Sequence, residues 1–324
     1  MIYWFTGQPA HGKTVLAKAL YDALGDQPFM IDGDGMRELF SNKDYSIKGR
    51  VENIATAQRI SHYLHNQGKD VIVSLVSPYI TKNYESNMSN ILITGHTGYI
   101  GSMLTKRLQL TNNVILFQGD VVNIDDWCIN LSKDIDIIYH LAAVEHTNTD
   151  IDIIRDWRVN SQSMLQLHEA CKLKNISPKI VFTSSTNVFG NIDSTTITED
   201  TREEVAAIWS AHKLLGENYL RILNKLHNVK YTVLMLPNVY GPSTSIDLMD
   251  RMVVNRVIKN AITNNVVTLF DNKSCLRDYL YIDDVIDAFQ LLLDIDDIYY
   301  NGSRFLLGSN KRRTIEDVWQ EIVS

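Results

Sequence analysis

Twice in this chain a β-prone run passes through a glycine-bounded turn directly into residues with helical apolar spacing: "MIYWFTGQPAHGKTVLAKALYDAL" and "NILITGHTGYIGSMLTKRLQL". A strand feeding a helix buries both elements only in a layered α/β sheet, and backbone N–H groups at the helix start make an anion cradle. In the first unit Val15, Leu16, Ala19, Leu20 and Ala23 recur at helical spacing, and Gly7, Gly12, Lys13 and Thr14 fit G-x-x-x-x-G-K-[ST]. That pattern suits ATP: the loop amides cradle phosphates, Lys13 reaches the outer ones, and Thr14 can ligate magnesium. In the second unit Gly95, Gly98 and Gly101 have G-x-x-G-x-x-G spacing around Tyr99 and Ile100, which lets a dinucleotide pyrophosphate approach the helix amino terminus.

The rest of the chain sets bounds. With 324 residues and a 45% apolar share, it can form one large α/β domain or two modest ones. It has no apolar run of bilayer length and no basic segment leading into an apolar one, so a soluble cytoplasmic protein without a membrane partner is expected. A net charge of −7 and the lack of a Lys/Arg run argue against nucleic acid as a partner. Cys128, Cys171 and Cys275 lie far apart, as reduced thiols do rather than a zinc set or disulfide framework. Charge balances over Met1–Ser89, so the whole acidic excess lies beyond it. The polar stretch "TKNYESNMSN", Thr81 to Asn90, is the expected junction between a phosphate-loop segment at 1–85 and a second domain at 90–324.

Within the first segment, "FMIDGDGMRELF" predicts a strand ending in Asp32 and Asp34, carboxylates placed to hold hydrated magnesium beside the phosphate loop. "GRVENIATAQRISHYLHNQGKDVIVSLVSPY" predicts a helix bearing Arg50 and Asn53, then a buried strand ending at Ser77. The phosphate loop, "DGD" with Arg37, "RVEN" and "SPY" together resemble the adenylylsulfate kinases, which move the γ-phosphate of ATP to adenosine phosphosulfate. The resemblance implies that Arg37, Arg50 and Asn53 grip adenosine phosphosulfate and that Ser77 matches a phosphorylated serine; read without it, Ser77 caps the strand. The family's second half, with its lid over both nucleotides, has no counterpart after about Asn83, so a partial P-loop unit is expected rather than a competent kinase.

The second glycine turn is followed by "FQGDV", "IDIIYHLAAVEHT", "WRVNSQSMLQLHEACK", "KIVFTSSTNVFG", "AAIWSAHKLLGEN", "LPNVYGPS" and "LRDYLYIDDV". This succession resembles the extended short-chain dehydrogenases/reductases, in particular nucleotide-sugar epimerases and reductases. The resemblance implies a Rossmann-like doubly wound parallel sheet that binds NAD or NADP, and a small carboxy-terminal region that closes over a nucleoside-diphosphate sugar. By position, Gly95, Gly98 and Gly101 match the pyrophosphate turn, Asp120 and Val121 the pair beside the adenine, and Leu141, Ala142 and Ala143 the strand end under the cofactor. Asn160 matches a helix asparagine that braces the site, and Ser185 the hydroxyl on the reacting sugar oxygen. Lys213 matches the lysine on the nicotinamide ribose, Asn238 a substrate-side asparagine, and Arg277 a diphosphate-binding arginine. Members pair through a helix bundle that would include the helix at Trp209, which makes a homodimer the assembly to test.

Departures from the pattern are as informative. Between the first helix of this domain and "VILFQGD" there is almost no room for the usual second strand and its ribose-binding carboxylate, which leaves NAD against NADP open. Thr186 and Asn187 replace the Asp-Glu pair of sugar dehydratases, and Met235 stands where an arginine is frequent. The sequence stops at "TIEDVWQEIVS", so the last elements are expected to be clipped relative to the family's. Most consequential is the family's tyrosine four residues before the lysine, which moves a proton at the sugar oxygen during hydride transfer. Here the pair, on one helical face, is Trp209 and Lys213, and an indole N–H does not exchange usefully near neutral pH. The chain therefore reads as an epimerase- or reductase-like binding fold with weakened or lost redox catalysis. The alternatives are a silent nucleotide-binding scaffold and a small-nucleotide kinase acting through the P-loop segment.

Overall fold

Alternating apolar strands and amphipathic helices can bury both faces of every strand only if the strands run parallel between helical layers. The computed structural model describes residues 2–6, 13–24, 28–41, 47–75, 88–144, 152–190, 196–263, 275–293, 295 and 300–323. They divide into two units, Met1–Asn87 and Met88–Ser324.

In the first unit, β1 (Ile2–Thr6), α1 (Lys13–Leu24), β2 (Phe29–Asp32), α2 (Gly33–Leu39), α3 (Ile47–Asn66) and β3 (Val71–Leu75) follow in chain order. The strands form a parallel sheet of order β1-β3-β2, with Trp4 beside Val73 and Val73 beside Ile31. Val71, Val73 and Ile31 pack with Met36 of α2 and with Ile54 and Ala57 of α3.

The second unit begins with β4 (Asn90–Thr94), α4 (Tyr99–Leu108), β5 (Asn113–Leu116), α5 (Ile124–Asn130), β6 (Ile137–His140) and α6 (Ile153–Trp157). A π-helical turn at Arg158–Gln162 leads into α7 (Ser163–Lys174), β7 (Lys179–Ser185), α8 (Ile208–His227), β8 (Tyr231–Leu236) and β9 (Asn238–Tyr240). Then come α9 (Val253–Thr263), β10 (Arg277–Tyr281), α10 (Ile282–Leu291), β11 (Ser303–Leu306), β12 (Arg312–Arg313) and a last helix, Ile315–Val323. Six strands make a parallel sheet of order β11-β8-β7-β6-β4-β5, while β12, β10 and β9 make a small separate sheet.

Successive side chains leave a strand on opposite faces, so each central strand feeds two cores. Leu92, Ile138, Ile180 and Phe182 meet Trp127, Leu167 and Leu220 on one face. Ile91, Ile93, Ile137, Tyr139 and Val181 meet Leu104, Val285 and Phe289 on the other. Strand order reverses direction between β4 and β6, the point at which a doubly wound sheet opens a crevice at its strand ends.

The stretch between α4 and "VILFQGD" holds no strand of its own, in line with its shortness: "NVIL", which opens that segment, is β5, paired directly with β4 from Asn90↔Asn113 to Ile93↔Leu116. A single strand here occupies the place next to the glycine turn and runs straight on into "FQGDV". Among the described residues no helix is long and apolar enough to cross a membrane.

Candidate functional site

The crevice at the reversal of strand order is lined by Gly95, Gly98, Tyr99, Ile100 and Gly101 of the turn into α4, and by Asp120 and Val121 after β5. Leu141, Ala142 and Ala143 after β6 line it too, as do Ser185 at the end of β7 and Trp209 and Lys213 on α8. Its volume is about 590 Å³, within the usual range for a small-molecule site. Thirteen expected residues from distant parts of the chain therefore share one cleft.

The turn itself demands glycine. Gly95 has φ +67°, and a Cβ there would sit 2.6 Å from the Ala142 nitrogen; a Cβ on Gly101 would run into the Gly95 carbonyl. The backbone is thus folded on itself as closely as it can be. Gly98 starts α4 with no side-chain cap, which leaves that helix end to an outside acceptor such as a pyrophosphate.

A buried polar chain holds the neighbouring strand end. Ala142 N–H donates to Thr94 Oγ1 (3.1 Å), Thr94 Oγ1 lies 3.1 Å from His140 Nδ1, and His140 Nε2 lies 3.2 Å from Ser163 Oγ. Because Ser163 Oγ spends its proton on the Val159 carbonyl (2.6 Å), it must accept from Nε2–H, and Nδ1 then accepts from Thr94. That tautomer is neutral. Burial, with the Lys213 charge adding to it, drives the His140 pKa down to about 3.

Ser185 caps the short 3-10 turn Thr186–Phe189 by accepting from Asn187 N–H (3.1 Å), so its own proton remains available in the cleft. Lys213 is 3% exposed, its Nζ makes no hydrogen bond among the described residues, and the ammonium stands 4.8 Å over the Phe182 ring. Burial lowers its pKa to about 8, against the opposing pull of Glu217 and Asp156. An unpartnered buried donor beside a glycine cradle is what a dinucleotide's ribose hydroxyls would satisfy, so these residues fit NAD(P).

Trp209 shares this face of α8, but its Nε1–H is given to the Val144 carbonyl at 2.7 Å. Asn160, buried behind the cleft in the π turn, donates to the same carbonyl (3.3 Å) and to the Asp156 carboxylate. His212 Nδ1 lies 3.2 Å from that carboxylate, which is fully buried. Asp156 and His212 went unread in the sequence, since nothing in their spacing separates them from surface charges.

Asn238 and Arg277 do not line the cleft. Asn238 opens β9, paired with Tyr279, and exposed Arg277 opens β10 and donates to the Leu276 carbonyl (3.1 Å), which puts both in the small sheet. In the first unit, Gly7, Gly12 and Ser77 lie outside the described residues, as do the side chains of Lys13 and Arg50. Thr14 Oγ1 is 3.5 Å from Ser74 Oγ. Asp32 caps α2, accepting from Asp34 and Gly35 N–H at 3.2 Å, while Asp34 is exposed and Arg37 half-buried in the same helix. Asn53 is buried and donates to the Gly33 carbonyl (3.3 Å), a bracing contact between α3 and α2.

A parallel sheet with a glycine turn at its switch point and a buried lysine in the cleft defines a dinucleotide-binding α/β protein. Residues 91–308 match the sequence model of the NAD dependent epimerase/dehydratase family, and the chain belongs to that family. The adenylylsulphate kinase model matches residues 1–121, so the two matches overlap over 91–121, from β4 through β5. A UDP-glucose 4-epimerase of Mycolicibacterium smegmatis is 28% identical over 225 residues, 61% of this chain and 71% of that one. The UDP-glucose 4-epimerase of Thermotoga maritima, solved with UDP-glucose, has a TM-score of 0.65 at 23% identity, over 72% of this chain and 81% of its own. A UDP-glucuronic acid 4-epimerase from Bacillus cereus, solved with a fluorinated UDP-glucuronic acid and NAD, has a TM-score of 0.62 at 26% identity, over 72% of this chain and 82% of its own.

Proposed function

We propose that this chain binds NAD(P) and a nucleoside-diphosphate sugar in the cleft at Gly95–Gly101, with the hydride and proton chemistry of its family weakened or lost. The observation that carries this reading is the pairing of a cofactor-ready Lys213 with an indole whose only N–H is engaged by Val144. NAD(P), when bound, supplies reversible hydride acceptance at a sugar carbon. For the rest, the amides of the turn hold the pyrophosphate, Lys213 holds the nicotinamide ribose, and Ser185 donates to the reacting sugar oxygen. The indole at position 209 cannot then take up the proton that must leave that oxygen.

The test is calorimetric titration with NADH and NADPH, followed by turnover assays on UDP-, GDP- and dTDP-sugars. Ordinary enzymes turn over at about 1–10³ s⁻¹, and loss of the general acid/base removes about 10²- to 10⁴-fold. Dinucleotide binding with turnover well below ~1 s⁻¹ is expected. Turnover in the ordinary range overturns the reading, and dinucleotide binding with no turnover at all is its limiting case, a silent nucleotide-binding scaffold. For the first unit the reading is an ATP-binding P-loop segment, with Mg at Thr14, Asp32 and Asp34 and adenosine phosphosulfate as the second ligand. ATP titration against Lys13→Ala tests it, with loss of binding expected in the variant.

A further inference from the structure

We infer that His168 and His227 form a two-imidazole site for a divalent transition-metal ion of the Zn²⁺, Ni²⁺ and Cu²⁺ class, which clamps the middle of α7 to the last turn of α8. The site lies outside the cleft and stands independently of the dinucleotide reading.

Two neighbouring helices bring the rings together. His168 lies within α7 and His227 is the last residue of α8, where Asn228 takes a left-handed conformation (φ 55°) and stops the helix. Their ring centres are 4.8 Å apart. An imidazole nitrogen binds Zn²⁺ at about 2.0–2.1 Å, which sets the ring centre about 3.2 Å from the ion, so this separation corresponds to roughly 100° at the metal, near the tetrahedral angle. The ring planes are 33° apart, and His227, exposed at the helix end, has the freedom to turn a nitrogen toward the shared point.

The chemistry of the pair suits a metal. His168 is 7% exposed, yet its Nε2 has no hydrogen-bond partner among the described residues. Buried polar atoms are nearly always paired, so a bare ring nitrogen calls for a ligand. Burial, with the charge of His227 adding to it, lowers the His168 pKa below 6.5 against the opposing pull of Glu169, so near neutral pH the ring is uncharged and keeps a lone pair for an ion. The carbonyl end of α8 carries partial negative charge, which favours a cation beside His227. Glu169 and Lys172, on the same stretch of α7, neutralise each other at 3.1 Å.

The donor set selects the class of ion. Ring nitrogens suit borderline transition metals, whereas Mg²⁺ and Ca²⁺ take oxygen ligands. Cys171, three residues after His168, stays out of the set, because burial pushes its thiol up to about 12 and only a thiolate ligates well. Among the described residues no group of three or more His, Cys, Asp or Glu could hold a metal, so water fills the remaining positions and the ion is exchangeable.

The experiment is calorimetric titration of the full chain, free of any histidine tag, with Zn²⁺ and with Mg²⁺, in wild type, His227→Gln, His168→Gln and His65→Gln. Wild type is expected to bind one Zn²⁺ that both His227→Gln and His168→Gln weaken at least tenfold, while His65→Gln, which removes an exposed histidine of α3, leaves it unchanged. Zn²⁺ should also raise the melting temperature of wild type and not that of His227→Gln, since an ion bound only by the folded chain stabilises it. His168 is buried, so its variant counts only at wild-type urea stability, and exposed His227 supplies the deciding arm. No Zn²⁺ binding by wild type, an affinity in His227→Gln within threefold of wild type, a stable His168→Gln that keeps the affinity, or equal binding of Mg²⁺ overturns the inference.

Discussion

Replacing Trp209 with tyrosine puts a phenol four residues before Lys213, on the helical face that already lines the cleft. The variant forfeits the 2.7 Å Nε1–Val144 bond, a neutral hydrogen bond worth about 0.5–1.5 kcal/mol, and a smaller ring leaves space beside Val144. Asn160 Nδ2 still donates to that carbonyl, so it is not left bare, and the stability cost should stay near ~1–2 kcal/mol. The gain is kinetic. A proton-exchanging group restores about 10²- to 10⁴-fold in rate, equivalent to roughly 3–5 kcal/mol of barrier at 1.36 kcal/mol per decade. The ammonium of Lys213 favours the phenolate of a neighbouring tyrosine, so the recovered rate should rise with pH until Lys213 loses its charge near pH 8. The assay is epimerisation or oxidation of UDP-sugars with NAD, read by product chromatography across pH 6–9 at matched fold stability by urea melts. Wild-type turnover equal to that of Trp209→Tyr would refute the argument that the indole ended proton transfer, as would a stable variant that binds both ligands and gains nothing.

Three further outcomes are expected. Since the Lys213 pKa falls from 10.5 unfolded to about 8 folded, the folded state binds fewer protons between those values, so urea stability should rise with pH across roughly 8 to 10.5, and Lys213→Met should abolish that rise. His140, near 3 when folded against 6.5, likewise makes stability fall as pH drops from about 6.5 toward 3, by up to about 1.4 kcal/mol per unit, and His140→Gln should flatten that limb. Gly95→Ala forces a side chain onto φ +67° and against the Ala142 nitrogen, which should cost more than ~1–2 kcal/mol in a thermal melt and remove dinucleotide binding in calorimetry.

Much of the second unit was legible because its signals are local. Glycine spacing at Gly95, Gly98 and Gly101 marks a backbone path that other residues cannot follow, and the i, i+4 pair Trp209 and Lys213 needs only helical geometry to share a face. The cleft residues after β5, β6 and β7 were reached through motif order, since parallel strands deliver their carboxyl ends to one edge. Harder to read was the fate of β5. A four-residue strand carries too little pattern to show whether it sits at the edge of the sheet or beside β4, and only the pairing Ile93↔Leu116 decides it. Asn238 and Arg277 show the converse limit, because their motifs lie near the site in sequence order while their strands belong to a different sheet.

Sequence alone was therefore enough for the alternation of strands and helices in the second unit, the close glycine turn before α4 and the indole at position 209. Those follow from covalent facts: which residues lack a Cβ, which side chains hold an exchangeable proton, and at what period apolar groups recur. Tertiary structure alone decided what each polar group does. The indole N–H of Trp209 found Val144, His140 was fixed as a neutral tautomer between Thr94 and Ser163, and Asp120 met Arg155 across 35 positions of chain. Hydrogen bonds and ion pairs are short-ranged and directional, so partners far apart in the chain are chosen only when packing of the sheet and helices sets their distance and angle.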